Sequence, residues 1–269
     1  MSDVLLRCEN LGRCFAVPAQ QDFWAVRGVD LNIYRGEALG IVGESGSGKS
    51  TLGRLLLGLH DKSEGDVYYR DARHTGEICL PRVYRRSDFQ RWSAHMQMVF
   101  QDPYATLNPR FSIGASIAEP LLLRDAAKRP SRNEVQQRVA HALERVGLKS
   151  AMAQRYPHEF SGGQRQRIGL ARALIAEPEI LICDEPVSAL DVSVQAQIVN
   201  LLAHLRSEMR LTLVFISHDL AVVRHLCDRV AVMQGGGIVE LNETDALFAD
   251  PQHEFTCRLL AAREINGRR

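Results

Sequence analysis

Apolar and polar positions along the chain alternate first with the period of a strand and later with that of a helix. Val4, Leu6 and Cys8 share one face of an extended segment, as do Val29, Leu31 and Ile33 further on. The run Ala38-Leu39-Gly40-Ile41-Val42 is short, nearly continuous and closed by Gly43. A strand covered on both faces, as in a parallel sheet, reads this way. A Gly/Ser-rich turn follows, and residues 49–59 have helical spacing. Residues 71–92 carry Arg82, Arg85, Arg86 and Arg91 without a clear period, so a solvated loop or helix face is expected there. Residues 96–100 read as a strand, with Pro103 and Pro109 punctuating the loop behind it. Between residues 112 and 177 the pattern turns helical. Val135, Val139, Ala142 and Val146 define an amphipathic helix ending near Gly147. Strand signals return at 180–183, 213–216 and 230–233, with helical stretches between them. This interleaving predicts an α/β sheet with a helical insertion over 103–177, without internal repeats or a low-complexity linker.

Composition narrows the class. The 269 residues hold 33 Lys+Arg against 32 Asp+Glu, a net charge of +1, with 45% hydrophobic and 24% charged residues. Such a balance excludes a disordered chain and gives no global electrostatic reason for a nucleic-acid partner. The length suits one large domain or two small ones. No apolar stretch approaches the roughly 20 residues that cross a bilayer. Met1-Ser2-Asp3 opens without a basic region followed by an apolar one, so no secretory signal is expected. The six cysteines (Cys8, Cys14, Cys79, Cys183, Cys227, Cys257) include no C-x-x-C pair. They read as reduced thiols of a soluble intracellular protein, not as a disulfide framework or zinc site.

Gly43-Glu44-Ser45-Gly46-Ser47-Gly48-Lys49-Ser50 satisfies G-x-x-x-x-G-K-[ST] and is followed by Thr51. Its glycines let backbone N–H groups turn inward around phosphate oxygens, and the following helix points its positive end there. Lys49 would reach the β- and γ-phosphates and the Ser50 hydroxyl would ligate Mg²⁺. The strand before and the helix after supply the context this chemistry needs. By itself the motif implies a bound nucleoside triphosphate.

A second apolar strand, Ile180-Leu181-Ile182-Cys183, ends in Asp184-Glu185. Beside a phosphate loop, Asp184 can hold Mg²⁺ and Glu185 can polarise the water that attacks the γ-phosphate. Ser161-Gly162-Gly163-Gln164 opens a helix-like run and offers a hydroxyl and backbone N–H groups as a second anion site. His218, in Ser217-His218-Asp219, falls at the tip of the strand 213–216, where nucleotide chemistry collects in α/β sheets. Gln101, just after the strand 96–100, is the weakest signal taken alone.

These segments, in this order, resemble the nucleotide-binding subunit of an ATP-binding cassette (ABC) transporter over roughly residues 4–260. The matching parts are the phosphate loop 43–51, the Q-loop at Gln101, the signature Ser161-Gly162-Gly163-Gln164, and the Walker B acids Asp184 and Glu185. The D-loop Ser188-Ala189-Leu190-Asp191 and the switch His218 complete the set. Val99 to Arg110, Tyr156 to Arg167 and Asp184 to Ser193 are similar to the dipeptide, oligopeptide and nickel importers of that family. Asp250-Pro251-Gln252-His253-Glu254-Phe255-Thr256 resembles the same subfamily's Asn-Pro-x-His-Pro-Tyr-Thr, departing at Glu254 and Phe255. Phe160 stands where the wider family has Leu. Some relatives bind an iron–sulfur cluster in a cysteine-rich tail; here only Cys257 lies near the tail, so no cluster is expected.

The resemblance implies a P-loop NTPase (RecA-like) α/β core with an antiparallel β subdomain and an inserted α-helical signature subdomain. The core would take residues 1–102 and 178–250, the helical part 103–177 and a tail 251–269. It also implies an ATP hydrolase using ATP and Mg²⁺, with Ser50, Gln101 and Asp184 about the metal and Glu185 and His218 about the attacking water. Gln101, counted with the catalytic residues, would both touch Mg²⁺ and sense the permease. Adenine would stack on Phe15, with Trp24 the other candidate. Ser161, Gly162, Gly163, Gln164 and Asp191 would act across a head-to-tail dimer with a second ATPase subunit, a copy or a paralogue. Two membrane permease subunits and, indirectly, a solute-binding protein would be the other partners, at the cytoplasmic face of the bacterial inner membrane. The cargo would be peptides or nickel-type solutes. The competing classes are a soluble ABC ATPase of DNA repair or ribosomes, a P-loop kinase, and an ABC exporter.

Overall fold

The computed structural model describes residues 3–18, 22–71, 76–102, 106–123, 129–188 and 190–266. Met1, Ser2, the Q-loop positions Pro103, Tyr104 and Ala105, the D-loop Ala189 and Arg269 lie outside the described residues. In chain order the strands are β1 (Val4–Phe15), β2 (Phe23–Tyr34), β3 (Ala38–Val42), β4 (Glu64–Tyr69) and β5 (Ile78–Cys79). They continue with β6 (Met96–Val99), β7 (Ile180–Asp184), β8 (Thr212–Ile216), β9 (Arg229–Gln234) and β10 (Gly237–Glu243). The helices are α1 (Lys49–Leu56), α2 (Arg86–Trp92), α3 (Ile113–Leu122), α4 (Arg132–Arg145) and α5 (Gly162–Leu174). After them come α6 (Val192–Met209), α7 (Leu220–Leu226), α8 (Thr244–Ala249) and α9 (Glu254–Asn266). Two compact units result, Met1–Tyr84 with Thr212–Arg269, and Arg85–Leu211.

The first unit holds two sheets. In one, β2, β1, β4 and β5 lie side by side and antiparallel. In the other, β3 is flanked by β8 and β9, both parallel to it, and β10 folds back antiparallel on β9. Every residue of β3 and β8 is buried, as the unbroken apolar run predicts. Each Leu or Ile in such a strand contributes about 1.5–3 kcal/mol by leaving water. Gly40 is required here because a Cβ would lie 2.7 Å from Val223 of α7.

Several boundaries differ from the sequence reading. The helix after the phosphate loop stops at Leu56, not residue 59. Gly58 turns the chain at φ +69°, and the Tyr84 ring sits 2.1 Å from where a Cβ would stand. The strand read to residue 100 ends at Val99, and Phe100 is exposed. Residues 71–92 are not only a loop or solvated face: β5 pairs with β4, and α2 buries Trp92.

The tail motif has a physical explanation. The Glu240 carboxylate on β10 accepts the backbone N–H groups of Gln252 and His253, both at 2.9 Å. His253 Nδ1 accepts from the Phe255 N–H at 3.1 Å, capping α9. Phe255 and Thr256 are buried behind it.

In the second unit β6 and β7 pair in parallel, Met96 with Ile180 through Val99 with Cys183. Four of its helices start on side-chain caps that satisfy otherwise orphaned N–H groups: Ser112 for α3, Ser131 for α4, Ser161 for α5 and Asp191 for α6. The amphipathic helix predicted from Val135 onward is α4. It buries Val139, Ala142 and Leu143 and gives way at Gly147, φ +75°.

Candidate functional site

The phosphate loop is shaped by what packs beneath it. Gly43, Gly46 and Gly48 adopt φ of +150°, +81° and +102°, which side-chain-bearing residues rarely reach. A Cβ on Gly43 would lie 2.2 Å from the Met233 carbonyl oxygen, and one on Gly48 2.1 Å from that of Ala25. At Gly46 a Cβ would meet nothing within 4 Å. The loop is therefore walled on the side of β2 and β9 and open at Gly46, the shape that admits a phosphate chain to its amides.

Lys49 is 5% exposed. Its ammonium donates to the Gly43 carbonyl at 2.8 Å, the Glu44 carbonyl at 2.7 Å and the Ser47 hydroxyl at 3.4 Å. The charge is thus held at the loop's rim, already stripped of most water.

Two features of this wall have no counterpart in the sequence reading. Between β1 and β2 the register passes from Arg13↔Val26 to Cys14↔Trp24, so Ala25 is an extra residue in a β-bulge. That bulged residue is the one whose carbonyl meets Gly48. In addition, the Arg27 N–H donates to the Gly236 carbonyl at 2.9 Å and the Gly236 N–H to the Ser47 carbonyl at 3.1 Å. A backbone relay so runs from β2 through the β9–β10 turn to the loop. The one available signal was Gly235-Gly236-Gly237, of which Gly235 and Gly236 have φ of +56° and +86°.

His218 belongs to the same unit. Ile41 and Ile216 are register partners, and the Ser217 N–H donates to the Ile41 carbonyl at 3.2 Å. His218 is exposed at the carboxyl end of β8, one strand from the loop. Phe15 is half-buried at the end of β1 and paired with Phe23, while Trp24 lies opposite Cys14.

The acids and Gln101 lie in the second unit. Asp184 closes β7 and is 2% exposed. Glu185 follows at φ +47°, the left-handed region. Because Val99 and Cys183 are partners, the residues just beyond both strands are neighbours. The Gln101 Nε2 donates to Glu185 Oε2 at 3.1 Å, and Ser188 Oγ lies 3.4 Å from the same nitrogen. Ser188 Oγ also donates to the Glu185 carbonyl at 3.1 Å. The signal that was weakest in sequence thus contacts the proposed general base.

The signature segment caps its own helix. Ser161 Oγ accepts from the Gln164 N–H at 3.4 Å, and Gln164 Oε1 accepts from the Ser161 N–H at 3.0 Å, a capping box. A Cβ on Gly163 would stand 2.4 Å from Val194 Cγ1, so this glycine admits the first turn of α6. Asp191 caps that turn: its carboxylate accepts from the Val194 N–H at 3.0 Å and the Ser193 hydroxyl at 2.8 Å. The Val194 N–H and Ser193 hydroxyl hold the Asp191 carboxyl below its ordinary range.

The donor chemistry fits the implied groups. Ser50, Asp184 and Gln101 offer hydroxyl, carboxylate and amide oxygens, hard donors of the kind Mg²⁺ takes. The loop's open face at Gly46 and its desolvated ammonium suit a triphosphate.

Comparison with known proteins gives the family. Residues 26–188 match the family model described as ABC transporter. The oligopeptide transport ATP-binding protein OppF of Escherichia coli (strain K12) is 50% identical over 272 residues, spanning 97% of this chain and 78% of that protein. OppF of Bacillus subtilis (strain 168) is 47% identical over 262 residues, spanning 97% and 83%. Among solved structures, the dimeric post-hydrolysis ATP-binding cassette MJ0796 bound to ADP and Pi superposes with a TM-score of 0.78 at 28% identity, over 89% of this chain and 99% of that one. CbiO1 from Clostridium perfringens, part of the ABC transporter complex cbiONQ, gives 0.77 at 27%, over 99% and 96%. The chain belongs to the ABC transporter family and carries its ATP-hydrolysing domain.

Proposed function

We propose that this chain is the ATPase subunit of a peptide importer. The observation that carries the reading is the 50% identity, across 97% of the chain, with a protein named for oligopeptide transport. The relatives cited above are named for oligopeptide transport, which places peptides ahead of the nickel-type solutes that the resemblance also implies. The chain works as a peripheral subunit at the cytoplasmic face of the bacterial inner membrane. Its partners are a second ATPase subunit, two permease subunits and a solute-binding protein.

Residue roles follow from the chemistry of each group. Lys49 and the amides of residues 43–51 bind the β- and γ-phosphates, and Phe15 takes the adenine. Ser50, Asp184 and Gln101 hold Mg²⁺, which when bound neutralises phosphate charge. Glu185 accepts the proton of the attacking water, and His218 orients that water and the γ-phosphate. Ser161, Gly162, Gly163, Gln164 and Asp191 engage the nucleotide of the partner subunit. Residues 1–102 and 178–250 form the nucleotide core, 103–177 the helical subdomain and 251–269 a tail.

The test is reconstitution. The chain is purified with its permeases in liposomes, and ATP turnover is measured with a solute-binding protein loaded with peptide. Stimulation by peptide-loaded binding protein supports the importer reading. Turnover indifferent to it, or failure to copurify with any polytopic permease, overturns it.

A further inference from the structure

We infer that Arg13 is a positioning residue for nucleotide binding, its guanidinium backing the Phe15 ring and fixing that ring's distance from the phosphate loop. The inference rests on the reading of Phe15 as the adenine platform and adds a residue to it.

Arg13 and Phe15 stand two apart on β1, spanning the bulge register at Ala25. The Arg13 guanidinium carbon lies over the Phe15 ring, 4.7 Å from its centroid. Nη1 donates to the Asp61 carbonyl at 2.8 Å, and Nε is buried with no hydrogen-bond partner among the described residues. The guanidinium is therefore oriented for the ring at the expense of one of its donors, which a merely solvated arginine would not sacrifice. His60, beside Asp61, meets the same ring nearly edge-on, with centroids 5.6 Å apart and planes at 85°. Burial, followed by the charges of Arg54 and Arg13, holds the His60 ring below its ordinary titration range. Arg13 is thus the cation at this ring in neutral solution.

The anchor point gives the arrangement its consequence. Asp61 and His60 follow α1, whose first residues belong to the phosphate loop. At the other end of that helix, Gly48 touches the Ala25 bulge. The hairpin tip bearing Phe15 is thus fastened at both ends of the helix that the loop opens. A planar cation on one face of an aromatic ring polarises it, and a purine base then stacks on a ring that does not have to be ordered on binding. The chemical class favoured is a nucleotide with a base, over a bare polyphosphate.

The experiment measures equilibrium binding of ATP and of inorganic tripolyphosphate, with steady-state ATP hydrolysis, for Arg13→Ala, Arg13→Lys, Phe15→Ala and the double variant. Arg13→Ala is expected to weaken ATP binding and raise KM about 2- to 5-fold. Tripolyphosphate binding and kcat should stay within twofold. Arg13→Lys, which keeps charge without the planar fork, should fall between. In the Phe15→Ala background, Arg13→Ala should add no further loss. Equal weakening of ATP and tripolyphosphate, or an undiminished effect of Arg13→Ala without Phe15, would overturn the role of Arg13. Unchanged ATP affinity in Phe15→Ala alone would instead overturn the platform reading.

Discussion

The Gln101 side-chain amide donates to the Glu185 carboxylate at 3.1 Å, joining the residues that follow two paired parallel strands. Glu185 is held there in a left-handed backbone conformation, with its carbonyl accepting from Ser188. Such a conformation costs about 1–3 kcal/mol in a residue with a side chain and persists where neighbours over-determine it. The paired strands bring the two residues together, and the Gln101 and Ser188 contacts then aim the carboxylate. Glu185→Gln keeps the shape and removes the base. ATP binding should be retained, turnover should fall by about 100-fold or more, and ATP should trap a dimer visible by gel filtration. Near-normal turnover would remove Glu185 from the catalytic role.

Lys49 holds its ammonium against three loop oxygens. Lys49→Ala deletes that charge and the loop's internal ties together. ATP affinity should drop at least about tenfold, measured by titration calorimetry, since a desolvated charge-assisted contact is worth about 1.5–3 kcal/mol. Undiminished affinity would contradict the loop's assignment.

Gly163 faces Val194 at a separation no Cβ tolerates. Helix propensity alone would make Gly163→Ala stabilising by up to about 1 kcal/mol. The stiff β-branched neighbour reverses the sign, and a net loss of about 1–3 kcal/mol is expected. Adding Val194→Ala should recover most of it, as read from denaturant midpoints in a double-mutant cycle. No recovery would show that the clash is not the cause.

Glu240 fastens the tail through two backbone N–H groups. Burial pushes its carboxyl up, but the Gln252 N–H, the Thr256 hydroxyl and the His253 N–H together outweigh this and leave it below the ordinary carboxylate range. A depressed folded value means the contribution to stability is present above the unfolded value of about 4.3 and disappears as pH falls through the folded one. The tail should therefore stay docked at pH 7 and become accessible to an acid-active protease below about pH 4. Glu240→Gln should loosen it at neutral pH and flatten that acid step. A tail equally protected in the variant would sink the idea.

The buried parallel strands are legible in sequence because both of their faces are covered, so β3, β7 and β8 read as unbroken apolar runs. By contrast β10 leaves most of its residues half-exposed, and no face stands out. The segment Glu64-Gly65-Asp66 opens β4 with residues that strands avoid; pairing with β1 overrides the propensity. Motif spacing identifies Lys49, Asp184 and Glu185, since their chemistry is written in residue types. The Gln101–Glu185 contact depends on the register of Val99 with Cys183, and the Ala25 bulge on a register slip, neither of which leaves a local mark.

The wall beneath the phosphate loop has a consequence for biosynthesis. Residues 43–51 leave the ribosome about 190 residues before Met233 and Gly236, on which the loop rests. At about 5–20 residues per second this is a delay of about 10–40 s. Until then β3 also lacks its neighbours β8 and β9. The loop therefore lacks its supporting wall until β9 and β10 have been made, and tight ATP binding is expected only from chains that include them.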